Sequence, residues 1–556
     1  MKKTINEIIV EFMNFLKIKY CFGIPGSNIS LLEAIDRNKK LSLILTKHEA
    51  GAAFMASGYS KSSGTLSSCF GSIGPGATNL VTGIAAAYHD SQPILVLSGQ
   101  VQRNIMGKKG FQESTGIGRT INQLKIFKNI TKYAIRLKRK EDIFNALKNI
   151  YFAIKDYRPG PAYLEIPMDL MKEEIDLPNN FFTILELKNR KRLRGNNEID
   201  IIKKIKKASR LINNSKRPAI LIGGGAINYG KIIQKIAKYL SLPILTTLKG
   251  KGIVSENNPF CLGCIGITGQ NSANEYINSN VDVLLSIGVG FDQFTTKNWT
   301  LKLDNTKIIR IDVPNKDITK NYKEEILIQW NTERVLNRLY KHLLANKIPA
   351  YIKKNRKNLI KEYQKKGYFD HQNTDSNHIL KPQLFMLKLR KYLPKKSIVC
   401  SESVQWTEKY FKSYYPRSHV VCTGLAPIGC SLPEALGAKL ANPNKTVVSI
   451  QGDGGFQMSA MELMTSINYN IPIISIVLNN GILGPVYYSE IKKYGRAFMT
   501  EFINPSFEKL SKGFGIAGIT IKKESDIKKS IKKALNITRK GKSVLVEVIV
   551  GRENCI

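Results

Sequence analysis

Apolar residues in this chain gather into short runs, and between the runs they recur at helical spacing. LSLIL (Leu41 to Leu45), TLSSCF (Thr65 to Phe70), PILVLSG (Pro93 to Gly99) and AYLEIP (Ala162 to Pro167) have the length and near-continuous hydrophobicity of buried strands. A second set comprises AILIGGG (Ala219 to Gly225), PILTT (Pro243 to Thr247), VDVLLSIG (Val281 to Gly288) and KIIRID (Lys307 to Asp312). A third comprises SIVCSE (Ser397 to Glu402), TVVSIQ (Thr446 to Gln451), PIISIVL (Pro472 to Leu478) and SVLVEVIV (Ser543 to Val550). Strands without polar alternation, separated by helices, belong in parallel sheets covered on both faces. The expectation is an α/β protein of three doubly wound parallel-sheet domains, at 1–170, 199–345 and 381–556. Basic, polar stretches at 171–198 and 346–380 read as linkers. Ile5, Ile8, Ile9, Phe12 and Leu16 repeat at helical spacing around Glu7 and Glu11, which predicts a soluble N-terminal helix, neither signal peptide nor membrane span.

Charge changes this picture little. The 556 residues carry 85 Lys and Arg against 43 Asp and Glu, a net charge of +42. A nucleic-acid binder is one reading of such a balance. The lysines are spread along the whole chain, however, and no stretch interleaves arginines with base-stacking aromatics, so neither nucleic acid nor membrane is an expected partner. No run of eighteen apolar residues occurs. Among eight cysteines, Cys261 and Cys264 form the only C-x-x-C, with no second pair or nearby histidine, which points to reduced thiols in a cytoplasmic protein.

The candidate chemistry begins in GDGGFQMSAMELMTSINYNIPIISIVLNN, from Gly452 to Asn480. Asp453 and Asn480 end two apolar runs joined by one helical crossover, so both fall at the carboxyl ends of neighbouring parallel strands, where such sheets bind ligands. Gly452, Gly454 and Gly455 let a phosphate approach the backbone, and a helix expected to begin near Ser459 turns its amides toward the same anion. Two hard oxygen donors beside a diphosphate suit magnesium. Asp-Gly and Asn-Asn-Gly are each ordinary turn sequences; their spacing across one crossover makes the pair a metal and diphosphate clasp.

Three further motifs make the match specific: FGIPGSN (Phe22 to Asn28), KHEAGAAFMASGYSKSSG (Lys47 to Gly64) and GSIGPGATNLVTGIAAAYHDSQPILVLSGQ (Gly71 to Gln100). With the clasp, they make the chain resemble, in order and along nearly its full length, the acetolactate synthase and pyruvate oxidase group of thiamine diphosphate enzymes. The resemblance implies pyrimidine-binding, central and diphosphate-binding domains. It implies that Glu49 contacts the aminopyrimidine and favours the tautomer that deprotonates the thiazolium carbon. Gly26, Pro75 and Asn79 would lie at the cofactor, and Ile428, in CTGLAPIGCSLPEALGA, would wedge it into a bent shape. The backbone of Ala426 would accept from the aminopyrimidine, Ser403, Val404 and Gln405 would touch the diphosphate, and Ile482 would add a carbonyl to the Mg2+ ligands Asp453 and Asn480. Gln112, in GFQES beside Phe111, matches a glutamine near the reacting centre. The implied reaction is decarboxylation of a 2-oxo acid, pyruvate foremost, and attack of the enamine-carbanion on a second carbonyl, as in branched-chain amino acid biosynthesis. A homodimer or homotetramer is implied, with each site between the first domain of one subunit and the third of its partner; any regulatory subunit is unknown.

Departures from the family pattern fall in two places. IGVGFDQF (Ile287 to Phe294) has Gly290 and Phe294 where flavin-containing relatives have arginines, ITG (Ile267 to Gly269) replaces M-H-G, and GGGA (Gly223 to Ala226) lacks a full dinucleotide fingerprint, which makes FAD doubtful. In the substrate region, Ser489 stands where biosynthetic relatives carry a tryptophan, and Met168 replaces the lysine of P-K-D. YFKSYYPR, SAMEL and KKYGR are similar to flavin-free catabolic acetolactate synthases. A simple non-oxidative 2-oxo acid decarboxylase of the same fold stays open as the alternative.

Overall fold

The structure is a computed structural model describing residues 1–192, 198–314, 321–345, 347–366, 379–402 and 405–553. Its frame is three six-stranded sheets. The first runs Ser42–Leu45, Tyr20–Gly23, Ser67–Gly71, Ile94–Gln100, Ala162–Pro167, Tyr133–Arg136; the second runs Cys261–Cys264, Ile244–Thr246, Pro218–Ile222, Val283–Ile287, Lys307–Asp312, Glu324–Gln329. The third runs His419–Val421, Ile398–Ser401, Val447–Gly452, Ile474–Asn479, Val544–Ile549, Ala517–Ile521. All pairings within these sheets are parallel, and central strands such as Ile94–Gln100 and Pro218–Ile222 are buried at every position, as continuous apolar runs require. The chain is thus an α/β protein of three parallel-sheet units. One small antiparallel pair, Lys2–Thr4 with Glu174–Asp176, lies outside them.

The stretches read as linkers contain packed helices. Phe182, in the helix Phe181–Arg192, stacks on Phe15 with ring centroids 5.1 Å apart. Arg356, in Ala350–Lys365, donates to the carbonyls of Ser215 at 2.6 Å and Leu240 at 3.0 Å. A few apolar or planar groups at helical spacing dock these otherwise lysine-rich helices.

The first and third sheets meet through the helices Glu49–Ser63 and Ser431–Ala441. A Cβ at Gly58 would lie 2.1 Å from the carbonyl oxygen of Glu434, and one at Gly437 would lie 1.9 Å from that of Met55. The backbones touch only because both positions are glycine. Around them Ala52, Met55, Ala56, Leu432, Ala435 and Leu436 form one buried core shared by both sheets.

At the end of this pair the Lys61 ammonium reaches Glu434 at 2.7 Å, Asp90 at 2.9 Å and the carbonyl of Val421 at 3.0 Å, and Lys249 of the second sheet reaches Asp90 at 2.8 Å. Burial would raise the Asp90 carboxyl, but Lys61 and Lys249 outweigh it and hold it below the ordinary carboxylate range. One buried ion cluster therefore ties all three sheets.

Gly437→Val is expected to force the helices apart and destabilise the chain by about 1–3 kcal/mol, read as a lower urea midpoint. Gly513→Ala, where an added Cβ meets nothing within 4 Å, should leave the midpoint unchanged or slightly raised. Equal midpoints for the two variants would contradict the close-contact account.

Candidate active site

Parallel pairing sets Gly452 opposite Leu478, so Asp453 and Asn480 leave adjacent strand ends together. The Asp453 carboxylate, 1% exposed, ties these ends. Its Oδ2 accepts from the amides of Asn480 at 3.0 Å and Gly481 at 2.7 Å and from Asn504 Nδ2 at 2.8 Å; its Oδ1 accepts from the Gly454 amide at 2.9 Å. Burial raises this carboxyl above the ordinary range against the pull of those donors. The helix expected near Ser459 begins instead at Asp453 and ends at Ser459, and a second runs Glu462–Asn468. An acidic first residue favours the helix start, and the two glycines after it adopt helical angles as readily as turn angles.

Glycine use around Asp453 shows where a ligand fits. A Cβ at Gly452 would meet nothing within 4 Å, so open space adjoins the carboxylate, whereas Cβ atoms at Gly454 and Gly455 would lie 2.7 Å from Leu483 Cδ2 and 1.7 Å from Glu402 Oε1. Asn480 Oδ1 accepts from the amide of Ile482 at 3.3 Å, and the Ile482 side chain is buried. Asp453 and Asn480 thus present oxygens beside the open backbone of Gly452, a fit for magnesium and a diphosphate.

Glu402 was not expected here. It follows the strand Ile398–Ser401, accepts from the Ser431 amide at 2.9 Å, and is pushed up to about 7 by burial. Ser403 and Val404 lie outside the described residues, and Gln405 opens the helix Gln405–Tyr410. The loop at 423–429 carries Ala426 at φ +48°, a left-handed conformation costly for any residue with a Cβ, and Ile428, 39% exposed. Among the described residues, Cys422, Cys430 and Glu434 bring ligand atoms within 4.8 Å of one another. Lys61 lies 2.9 Å from Cys422 Sγ and 2.7 Å from Glu434 Oε1, so its ammonium supplies the positive charge there.

Glu49 heads the helix Glu49–Ser63, whose cap is the His48 ring, accepting from the Ala50 amide at 3.1 Å. Asn79 donates to Glu49 Oε2 at 2.9 Å, and a Cβ at Gly76 would lie 3.3 Å from Oε1. Pro75 opens the helix Pro75–Asn79, and Gly26 packs against Ser72. Gln112, at φ +60°, lies over Gly74. Beneath it, Gln123 accepts from the Gly74 amide at 3.0 Å and donates to Tyr163 at 2.6 Å and Ser98 at 2.8 Å. One group of expected residues (Gly26, Glu49, Pro75, Asn79, Gln112) therefore gathers at the first sheet. A second (Gln405, Ala426, Ile428, Asp453, Asn480, Ile482) gathers at the third.

Reading the sequence missed Glu402, Glu462, Asn504 and Gln123. Each acts through contacts far along the chain, and none has a local motif beyond Glu462 in SAMEL. In the second sheet the GGGA glycines are filled by the chain itself: a Cβ at Gly223 would lie 2.0 Å from the Gly288 carbonyl oxygen. Arg310 is committed to Glu324 at 3.1 Å and to the Val289 carbonyl at 3.0 Å, and Phe294 packs with Leu248, Cys264 and Val421. These residues do not suit a dinucleotide, so FAD stays doubtful.

Three family descriptions match in chain order. They are the thiamine pyrophosphate enzyme N-terminal TPP binding domain at residues 3–119, the central domain at 205–339 and the C-terminal TPP binding domain at 400–548. Curated relatives match almost end to end. The chain is 33% identical over 552 residues to a probable acetolactate synthase large subunit of Methanococcus aeolicus, covering 95% of this chain and 90% of that one. It is 34% identical over 543 residues to a protein of the same name from Methanocaldococcus jannaschii, covering 95% and 89%. It is 31% identical over 559 residues to the acetolactate synthase large subunit of Haemophilus influenzae, covering 98% and 94%. With all three sheets and both halves of the clasp accounted for, the chain belongs to the acetolactate synthase large-subunit family of thiamine diphosphate enzymes.

Proposed function

We propose that this chain is a magnesium-dependent carboligase that decarboxylates a 2-oxo acid, pyruvate foremost, and joins the remaining acyl unit to a second carbonyl. The observation that carries the reading is Glu49, buried at a helix start and bonded by Asn79, in a chain that also has the Asp453–Asn480 clasp. When bound, thiamine diphosphate supplies the electron sink for decarboxylation. Asp453 Oδ1, Asn480 Oδ1 and the Ile482 carbonyl would hold Mg2+; Gly452, Gly454, Gly455, Ser403, Val404 and Gln405 would hold the diphosphate. Ile428 and the Ala426 carbonyl would fix the ring system, the Glu49 carboxyl would hydrogen-bond the aminopyrimidine nitrogen, and Gln112 and Phe111 would border the carbonyl acceptor.

A second copy completes the site in this reading. Lys61, bonded to Cys422 at the start of the Ala426–Ile428 loop, is twelve positions beyond Glu49 on one helix, about 18 Å along its axis. In this reading Glu49 of one chain serves the clasp of the other. Ile428, Met458, Met461, Val486, Met499 and Ile503 are exposed around the clasp, with Met499 and Ile503 each 97% exposed, an apolar surface that suits association. The proposal is a homodimer at least. Because the relatives are named large subunits, it includes a separate regulatory chain.

Glu402 has a role in the unliganded clasp. A charged carboxylate beside the diphosphate would repel it; burial keeps this group protonated to about pH 7.

With pyruvate, thiamine diphosphate and magnesium, acetolactate is the expected product; acetaldehyde alone would establish the decarboxylase instead. Glu49→Ala should abolish turnover while diphosphate binding persists, and mixing it with inactive Asp453→Ala subunits should restore activity at hybrid sites. Two inactive variants that stay inactive after subunit exchange would overturn the shared site. Between the unfolded carboxyl value near 4.3 and about 7, folded Glu402 binds the extra proton, so stability falls as pH rises through that window. Without cofactor or metal, the thermal midpoint of Glu402→Gln should lose this slope; parallel curves would contradict it.

A further inference from the structure

Glu462 belongs to the third sheet's layer yet reaches across to the first. It heads the helix Glu462–Asn468 and is 2% exposed. Its Oε1 accepts from the amides of Lys47 at 3.0 Å and His48 at 3.1 Å, the two residues before Glu49. Its Oε2 accepts from the Thr465 hydroxyl at 2.7 Å, which fixes the carboxylate's orientation. Gly51 makes the reach possible, since a Cβ there would lie 2.1 Å from Oε1. The helix cap itself is His48, so Glu462 does not duplicate a cap; it holds the turn ahead of it.

From this geometry we propose that Glu462 is a positioning residue that sets the aim of Glu49 by clamping the Lys47–His48 turn from the opposite sheet.

The backbone before Glu49 has few other ties. Thr46 donates its amide to the Gly23 carbonyl at 3.2 Å and its hydroxyl to the His48 carbonyl at 3.0 Å; the amides of Lys47 and His48 go to Glu462. Without the carboxylate, two half-buried backbone donors lose their partner and the turn shifts to regain one. A shift of about 1 Å at a proton-transferring group costs on the order of 100-fold in rate. Glutamine offers the same Oε1 acceptor, and the Thr465 hydroxyl can turn to accept from its amide, so the clamp needs an oxygen rather than a charge. Burial raises the Glu462 carboxyl, partly offset by Thr465 and the two amides, which agrees with a group whose service is acceptance.

The inference rests on the proposed role of Glu49, and the test separates the two. Steady-state kinetics of the full enzyme would compare Glu49→Ala, Glu462→Ala, Glu462→Gln, Gly51→Ala and the Gly51→Ala/Glu462→Ala double variant. Hydrogen exchange of the cofactor-free protein would follow amides at 46–50. Glu462→Ala should lower kcat on the order of 10- to 100-fold with the half-saturating cofactor concentration unchanged, and should unprotect the Lys47 and His48 amides. Glu462→Gln should restore both. Gly51→Ala, which displaces the same carboxylate from the other side, should repeat the loss, and the double variant should be no worse than either single one. Full turnover in Glu49→Ala would refute the role of Glu49. Dead Glu49→Ala beside fully active Glu462→Ala would refute the clamp alone. If Glu462→Ala does not fold, Gly51→Ala decides: wild-type kcat in that variant overturns the proposal, as would an additive loss in the double variant.

Discussion

The contact on which the rest depends is the backbone-to-backbone packing of Glu49–Ser63 on Ser431–Ala441 at Gly58 and Gly437. It fixes where the first sheet's Glu49 and the third sheet's loop at 423–429 lie, because both project from the ends of this pair. Apolar burial alone would allow the helices to slide; two glycines facing carbonyls specify one register. Lys61 then fixes the far end through Glu434, Asp90 and the Val421 carbonyl, at a position where breaking one partner would leave an uncompensated buried charge. The second sheet joins through Lys249, so its part in this geometry is electrostatic as well as hydrophobic.

Buried carboxylates near the clasp divide into two kinds. Asp453 and Glu462 take several backbone amides each, and their oxygens serve as fixed acceptors that hold separate segments together. Glu402 takes its backbone amides from one stretch only, Gly429, Cys430 and Ser431, and burial pushes it to about 7. An acid buried beside an anion site is tolerable when neutral. The difference in what each carboxyl ties together follows from position. Asp453 stands where two strand ends converge their amides, while Glu402 leaves a single strand end and has chiefly the start of the helix Ser431–Ala441 to bond.

Legibility from sequence followed the length of the apolar run more than burial, since Cys261–Cys264 is wholly buried and was overlooked. Strands inside the sheets, such as Ile94–Gln100 and Val447–Gly452, stood out as apolar runs because helices cover both of their faces. The overlooked strands were mostly at edges: Tyr133–Arg136, Cys261–Cys264, Glu324–Gln329, His419–Val421 and Ala517–Ile521. His419–Val421 has three residues, and Tyr133–Arg136 is only partly buried throughout, so neither carries a long hydrophobic signal. The placement of Asp453 and Asn480 at adjacent strand ends followed from their local motif. Glu462 was not legible, because its partners Lys47 and His48 lie more than four hundred positions away, and no local pattern encodes such a pairing.

The same logic explains why the cofactor is better specified than the substrate. The clasp is built from one crossover and one strand end, so its residues are close in sequence and constrain one another. The residues that depart from the family, Ser489 and Met168, lie on different sheets, and Ser489 is exposed on the helix Gly484–Tyr494. Phe111, 88% exposed, and Met499, 97% exposed, are little covered by the described residues of one chain. In the proposed dimer the pocket closes between two copies and is specified by complementarity of surfaces, and a surface position tolerates substitutions that a core position does not. On the proposed function, substitutions at Ser489, Met168 or Phe111 change substrate choice while the glycine-locked helices, the Lys61 cluster and the Asp453 tie stay as they are.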